Sequence, residues 1–130
     1  MNNTEYIRLS FPVNAAYVSS ARLTASSIAN RIRFDIDEIE DIKTAVSEAC
    51  TYIIKRLAPS VKSTFEICFM PGQDTIGVDI VALGEWLEET PDEMSLMMIK
   101  ALVDEFSVSQ PEKGQISINM LKKHTETAFD

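Results

Sequence analysis

The chain has 130 residues, of which 45% are hydrophobic and 25% are charged, and its formal net charge is −8. This composition is typical of a globular protein that can bury a core without disulfides or metals. The acidic balance disfavours direct binding of nucleic acid, because phosphates need basic patches. No apolar run approaches the roughly 18 residues that would span a membrane.

The cysteines and the histidine give little support for metal chemistry. Cys50 and Cys68 lie in apolar segments without metal-ligand spacing, and His124 is the single histidine. Both cysteines are predicted to be reduced core thiols, and no metal site is expected. Because the first residues also lack the pattern of a signal peptide, we expect a cytoplasmic protein.

A strand and a helix are predicted at the start of the chain. Tyr6–Val13 alternates apolar and polar residues, as a strand with one buried face does. Pro12 suits a strand end or a sheet edge. Asn14 can cap the next helix, which is expected to run to about Arg33.

The longest predicted helix covers residues 37–57. Asp35 and Glu38 form a capping-box pattern at its start. An apolar stripe follows one face of this helix and consists of Ile39, Ile42, Val46, Ala49, Ile53 and Leu57. At roughly 100° per residue, Glu48 and Tyr52 lie away from the centre of the stripe and project together from the helix flank.

The second half of the chain predicts two hairpins with a helix between them. Pro-Gly and Gly turn signals bound the predicted strands, which are residues 64–70, 75–83, 106–109 and 115–121. Thr90-Pro91-Asp92-Glu93 is predicted to start the helix, which continues to about Glu105. Its apolar residues Met94, Met97 and Met98 favour core positions, with an adaptable partner surface as the alternative.

The order of elements predicts the fold class. Helices gathered on one face of a mostly antiparallel sheet give an α+β two-layer sandwich. We expect a single domain over residues 1–130, with a polar, frayed tail from about 122 to 130.

Four segments in this order carry a family resemblance. DEIEDIKTAVSEAC (residues 37–50) is the most specific of them, and the others are YIRLSFPV, YVSSARLTASSIANRI and LVDEFSV. Together they resemble the ATP-site helix, first strand, first helix and later helix end of the anti-sigma-factor serine kinases of the GHKL ATPase superfamily. The resemblance implies the histidine-kinase-like ATPase fold, and it covers nearly the whole chain.

The first family motif is only half present. The resemblance implies a catalytic glutamate and, four residues later, an asparagine that holds magnesium. Glu48 matches the glutamate as general base, but Tyr52 replaces the asparagine. A phenol cannot replace a carbonyl ligand for a hard cation that prefers near-ideal octahedral oxygens.

The second motif, Asp-x-Gly, implies a carboxylate that accepts a hydrogen bond from adenine. Gly84 is present, but the aspartate position is Ala82 or Leu83, depending on the register. The third motif implies glycines whose amides approach phosphates, yet residues 91–98, which include Ser95, contain none. From residue 63 to 99 there are eight carboxylates and no lysine or arginine.

These departures predict that no ATP, magnesium or other cofactor binds, and that Glu48 is a relic of the ancestral base. In the acidic loop, Trp86, Glu88 and Glu89 are candidate contacts for a partner protein, and Trp86 can alternatively plug the adenine pocket. A solvated loop is the simpler interpretation of the acidic residues.

The function implied by the resemblance is a regulatory module of the anti-sigma-factor type. Its partners would be a sigma factor, an anti-anti-sigma protein, or a second copy or paralogue in a dimer formed through Tyr6–Val13 and Ala15–Ile32. Direct binding to nucleic acid or membrane is not expected. The alternative is an active ATP-dependent serine/threonine kinase in which Asp79 or an acid of residues 85–93 supplies the missing ligand.

Overall fold

The computed structural model describes residues 5–58, 63–85, 93–110 and 114–125. The strands within these ranges are Ile7–Pro12 (β1), Thr64–Pro71 (β2), Thr75–Leu83 (β3), Glu105–Ser109 (β4) and Gln115–Lys123 (β5). A short 3₁₀ turn, Ala15–Tyr17, precedes the helices Val18–Ala29 (α1), Ile36–Ile54 (α2) and Glu93–Leu102 (α3). None of the helices in this part of the chain is long and apolar enough to cross a membrane.

The five strands form one sheet in the order β1-β2-β3-β5-β4, and every neighbouring pair is antiparallel. The predicted hairpin of β2 and β3 is confirmed, with Pro71 opposite Ile76 across the turn. Pro12 ends the edge strand β1, a position where a residue without an N–H is tolerated.

Strand alternation divides the sheet into a buried face and an open face. The side chains that point toward the helices form the core, and those of the three central strands are Phe65, Ile67, Phe69, Ile76, Val78, Ile80, Ala82, Ile116, Ile118 and Met120. Their alternates, such as Glu66, Asp79 and Asn119, remain at least partly exposed on the open face. The predicted α+β two-layer sandwich is therefore confirmed.

The start of α2 is the predicted capping box. The Asp35 carboxylate accepts from the Glu38 amide at 2.8 Å, and the Glu38 carboxylate accepts from the Asp35 amide at 2.9 Å. The helix packs against both α1 and α3, and the predicted stripe supplies four fully buried residues, Ile42, Val46, Ala49 and Ile53.

Three helix ends differ from the prediction. The helix α3 ends at Leu102 instead of about Glu105, which is the first residue of β4. The helix α1 ends at Ala29 instead of about Arg33, because residues 30–33 form turns after the Asn30 cap. The helix α2 ends at Ile54, although Leu57 beyond its end is still buried, with 1% of its surface exposed. Asn14 caps the 3₁₀ turn that precedes α1, through a bond of 2.9 Å from the Ala16 amide.

The core assignment for α3 is wrong. Met94, Met97 and Met98 are 78%, 69% and 45% exposed, whereas Ile99 is fully buried. The opposite apolar stripe, which includes Leu96, Ile99 and Val103, packs inward instead. Because α3 is apolar on both sides, its hydrophobic pattern alone could not identify the buried side.

The cysteines also differ from each other. Burial raises the pKa of the Cys50 thiol on α2 to about 12, as expected for a core residue. Cys68 is only half-buried and lies on β2 opposite Arg8 and Asp79, on the open face. The prediction of a core thiol is therefore wrong for Cys68. Neither cysteine forms a disulfide.

The predicted frayed tail is wrong for residues 122–125, and residues 126–130 lie outside the described ranges. Strand β5 continues to Lys123, and the His124 amide donates to the Asp74 carbonyl at 2.8 Å. His124 Nδ1 lies 2.7 Å from Glu38 Oε1, and the Thr125 amide donates to Glu38 Oε2 at 2.9 Å. The end of β5 is thus tied to the capping box of α2.

These contacts change the acidity of Glu38, which is 8% exposed. Burial by itself raises the pKa of this carboxyl. The hydrogen bonds from Asp35, His124 and Thr125 outweigh that effect and lower the pKa below its ordinary value of 4.5. Glu38 therefore stabilises the fold when it is ionised.

We predict that Glu38→Ala lowers the free energy of unfolding by about 1–3 kcal/mol at about pH 7, because several hydrogen bonds to a charged group are lost. The pKa of Glu38 is lower in the folded protein than in the unfolded chain. Its contribution to the free energy of unfolding is therefore complete above about pH 4.5, and it is lost as the pH falls through the pKa of the folded state. Urea denaturation at about pH 7 and about pH 3 measures the difference. Glu40→Ala, an exposed residue of the same helix, is the matched control. A difference between Glu38→Ala and wild type that is the same at both pH values contradicts the assignment.

Candidate functional site

The predicted site residues of α2 lie on the side that faces α3. Asp41 lies seven residues before Glu48 and eleven residues before Tyr52. On a helix, the side chains of Glu48 and Tyr52 therefore project within about 20° of the direction of Asp41. Lys122 fixes that direction, because its Nζ lies 3.2 Å from the Asp41 carboxylate and donates to the carbonyl of Leu102 at 2.8 Å. Leu102 is the last residue of α3, and a cation there complements the helix dipole.

Glu48 is half-buried on this side. Its carboxylate makes no hydrogen bond or ion pair with any residue that the structure describes. The predicted relic of a general base is therefore partly accessible, and no donor group from residues 5–58, 63–85, 93–110 or 114–125 orients it. An isolated carboxylate can attract a cation or a hydroxyl group only weakly.

Tyr52 is buried, with 7% of its surface exposed, and a guanidinium covers its ring. The Arg56 Cζ atom lies 3.5 Å from the ring centroid, and Nη1 donates to the Tyr52 carbonyl at 3.0 Å. Arg56 is itself only 4% exposed. A cation over a desolvated aromatic ring contributes about 2 kcal/mol, so the guanidinium stabilises the buried position of the ring.

Sequence reasoning missed Arg56. The available signal was its spacing of four residues from Tyr52, which brings side chains together on a helix. The positive charge changes the electrostatics of the site, because it lies beside the position that the family motif gives to a metal ligand. A phenol and a guanidinium do not fit magnesium, which needs oxygen ligands and is repelled by a fixed cation.

The residues of the second family motif lie at the end of β3. Ala82 is fully buried between Phe65 and Ile116 of the neighbouring strands, and Leu83 is 49% exposed. Neither side chain can accept a hydrogen bond from a base. Gly84 follows the strand, and its amide donates to the Gly114 carbonyl at 2.9 Å.

Packing explains why position 84 is glycine. A Cβ atom on Gly84 would lie 2.7 Å from Ser63 Oγ and 3.3 Å from Leu57 Cδ1. Ser63 is buried and donates to the Ala58 carbonyl at 3.3 Å, so it has little freedom to move. The glycine therefore permits close approach of the chain at the end of β3, whether or not a nucleotide binds.

Asp79, one candidate substitute for the missing adenine contact, lies on the wrong side of the sheet. Strand alternation directs its neighbours Val78 and Ile80 toward the helices and Asp79 to the open face. There its Oδ1 accepts from the Asn119 side chain at 2.7 Å. Asp79 and Glu48 are thus separated by the sheet, and this form of the alternative is wrong.

The remaining candidates are only partly described. Ser95 lies in the first turns of α3 and is half-buried. Trp86, Glu88 and Glu89, together with the predicted helix start at Thr90–Asp92, lie outside the described residues. In the part of the chain that the structure describes, no cluster of three or more histidine, cysteine, aspartate or glutamate side chains can hold a metal ion.

We predict that Gly84→Ala destabilises the fold by about 1–3 kcal/mol, because the new methyl group overpacks a rigid site. Gly77→Ala is the matched control, since its Cβ would meet the flexible end of Met70 at 3.2 Å and should cost under about 1 kcal/mol. Urea denaturation of both variants tests this. If the two substitutions have equal effects, packing is not the reason for Gly84.

Comparison with known proteins identifies the family to which this fold belongs. Residues 11–122 match the family described as histidine kinase-like ATPase domain. The chain is similar to the serine-protein kinase RsbW of Bacillus subtilis (strain 168), with 48% identity over 54 residues, which are 42% of this chain and 34% of the relative. It is 47% identical over 55 residues to the proteins of the same name from Bacillus thuringiensis (strain Al Hakam) and Bacillus cereus (strain B4264), again 42% and 34% of the two chains.

The matching segment therefore spans about a third of the length of these relatives. The family match is much longer and covers most of the chain, from β1 to the end of β5. On this basis, the chain belongs to the histidine kinase-like ATPase domain family.

Proposed function

We propose that this protein is a non-catalytic regulatory module of the anti-sigma-factor type, a pseudokinase that has lost ATP binding and kinase activity and keeps a protein-binding role. The observation that carries the proposal is the buried Tyr52–Arg56 pair, with the guanidinium 3.5 Å from the ring. It lies where the family resemblance implies a magnesium-binding amide. Restoring a metal site would require breaking this pair.

The sequence that follows β3 supports the same proposal. From residue 85 to residue 99 it has five carboxylates and no lysine or arginine, whereas a triphosphate needs cations and free backbone amides. Losing a metal ligand, the adenine-reading carboxylate and the phosphate-facing amides would remove on the order of 6 kcal/mol of binding free energy. Each 1.4 kcal/mol is about a tenfold loss, so a micromolar site would become undetectable.

The proposed partners are a sigma factor or an anti-anti-sigma protein, bound in the cytoplasm by partner switching without nucleotide. A homodimer, or a heterodimer with a paralogue, would use β1 and α1. Two features of these elements support that surface. Strand β1 has a free edge, and the large apolar residues Tyr6, Tyr17 and Leu23 are 54%, 42% and 62% exposed beside it. Trp86, Glu88 and Glu89 remain candidate contacts, and direct nucleic-acid or membrane binding is not part of the proposal.

The second candidate is an active serine/threonine kinase, and the accessible carboxylate of Glu48 favours it. With Asp79 on the opposite face, this alternative needs an acid of residues 85–93 to replace the missing aspartate. It predicts transfer of labelled phosphate to an anti-anti-sigma protein, which Glu48→Ala would abolish. A third arrangement, in which the chain modulates an active paralogue by pairing with it, predicts an effect only in mixtures of the two.

We predict that ATP with magnesium leaves the unfolding temperature of the protein unchanged and gives no heat in titration calorimetry. A real site at about 100 times its dissociation constant would add about 2.7 kcal/mol to the free energy of unfolding, which thermal shift detects easily. Complex formation with a sigma factor or anti-anti-sigma protein should occur without nucleotide and should be the same for Glu48→Ala. Saturable ATP binding that Glu48→Ala removes would instead establish the kinase.

A further inference from the structure

Strand β5 places a lysine on the core side of the sheet. Ile116, Ile118 and Met120 point toward the helices and are buried, and Lys122 is the next residue in this row. Its neighbour in β3 is the fully buried Ile76. Only 13% of the Lys122 side chain is exposed. A lysine is almost never buried to this extent unless its charge is paired.

Two groups compensate the charge of Lys122. Its Nζ lies 3.2 Å from the Asp41 carboxylate on α2 and donates to the carbonyl of Leu102, the last residue of α3, at 2.8 Å. A carbonyl in the last turn of a helix has no partner within the helix and lies at the negative end of the dipole. These three residues, which we call the lysine clamp, join β5, α2 and α3 through one ammonium group.

Stability alone does not account for a lysine at this position. Replacing a buried ion pair by apolar residues often leaves the stability of a protein unchanged or raises it. Methionine is unbranched like lysine, and Met120 already occupies the same row of β5. Hydrogen bonds need their acceptors at about 3 Å and in a narrow range of angles, whereas apolar contacts have no preferred direction. The lysine clamp therefore fixes where the end of α3 lies relative to α2.

Helix α3 can detach without the rest of the fold. It has ten residues, of which Ile99 is fully buried and Leu96 and Leu102 are partly buried against the core. A helix of this length is marginal in water by itself, so a detached α3 would unravel. Helix α2 also packs against α1, and the central strands pair with one another. Opening of one such unit while the others stay folded is common in proteins.

The chain is anchored again directly after α3. The Asp104 amide donates to the Leu121 carbonyl at 2.9 Å, and the Asp104 carboxylate accepts from the Lys123 amide at 2.7 Å. Both bonds hold the start of β4 on β5. They therefore define a fixed point about which α3 can move.

We infer that the lysine clamp is a latch that holds α3 against α2, and that breaking it releases α3 as a unit while the sheet stays folded. The side of α2 that carries Glu48 and Tyr52 faces α3. One ammonium group thus governs access to this side. The latch is a property of the fold and does not depend on the proposed loss of ATP binding.

Hydrogen–deuterium exchange of Lys122→Met, followed by NMR, tests the latch. The amides of residues 97–102 are hydrogen-bonded within α3 and report its detachment. We expect them to exchange at least about tenfold faster than in the wild type, because two hydrogen bonds from a charged group are lost. The amides of β2 and β3 should exchange at the wild-type rate.

Lys123→Met is the matched control. This neighbouring lysine is 52% exposed, and its Nζ lies 3.5 Å from the Glu105 carboxylate. Its substitution should leave the exchange of α3 unchanged. Asp41→Asn should accelerate the same α3 amides by a smaller factor, because Lys122 keeps the Leu102 carbonyl. The double variant Asp41→Asn/Lys122→Met should exchange within about twofold of Lys122→Met, since both substitutions act through one clamp.

Three results would overturn the inference. They are an unchanged α3 in Lys122→Met, equal acceleration of every helix and strand, and an equal effect of Lys123→Met. If Lys122→Met does not fold, Asp41→Asn is judged by the same criteria. Saturable ATP binding would end the proposed function and leave the latch standing, so the two failures are distinguishable.

Discussion

Burial of α2 is the constraint on which the rest of the structure depends. This helix packs between α1 and α3 and covers the sheet with a fully apolar face. Its first turn is held by the capping box and by the end of β5 through Glu38. Its last turn carries the Tyr52–Arg56 pair. The side that faces α3 is thereby held in position by contacts at both ends of the helix.

The Tyr52–Arg56 pair occupies the C-terminal part of this side of α2. Polar and charged groups in a largely buried position interact more strongly than at the surface, and the guanidinium lies against the ring that stands where the family resemblance implies an amide. Glu48 keeps its place on the helix, and its carboxylate has no hydrogen bond or ion pair within the described ranges. Family membership and catalytic competence are separate properties, since fold follows from the core and chemistry from a few side chains.

Helix α3 packs only one of its two apolar sides against the core. Its inward stripe includes the fully buried Ile99, whereas Met94, Met97 and Met98 stay exposed. Strand β1 lies at the opposite edge of the sheet from β4.

Local patterns were enough to predict much of this protein. Alternation and helical spacing gave the strands, the stripe of α2 and the capping box, because these depend on neighbours within four residues. The family motifs likewise gave Glu48 and Tyr52.

Three features could be determined only from the tertiary structure. Each of them either depends on contacts between residues distant in sequence or requires a choice between two alternatives that the local pattern does not distinguish. Packing selected the buried side of the doubly apolar α3. Strand parity in the assembled sheet placed Asp79 away from Glu48. The contact of His124 with Glu38, 86 residues away, ordered a segment that is polar and unstructured by pattern alone.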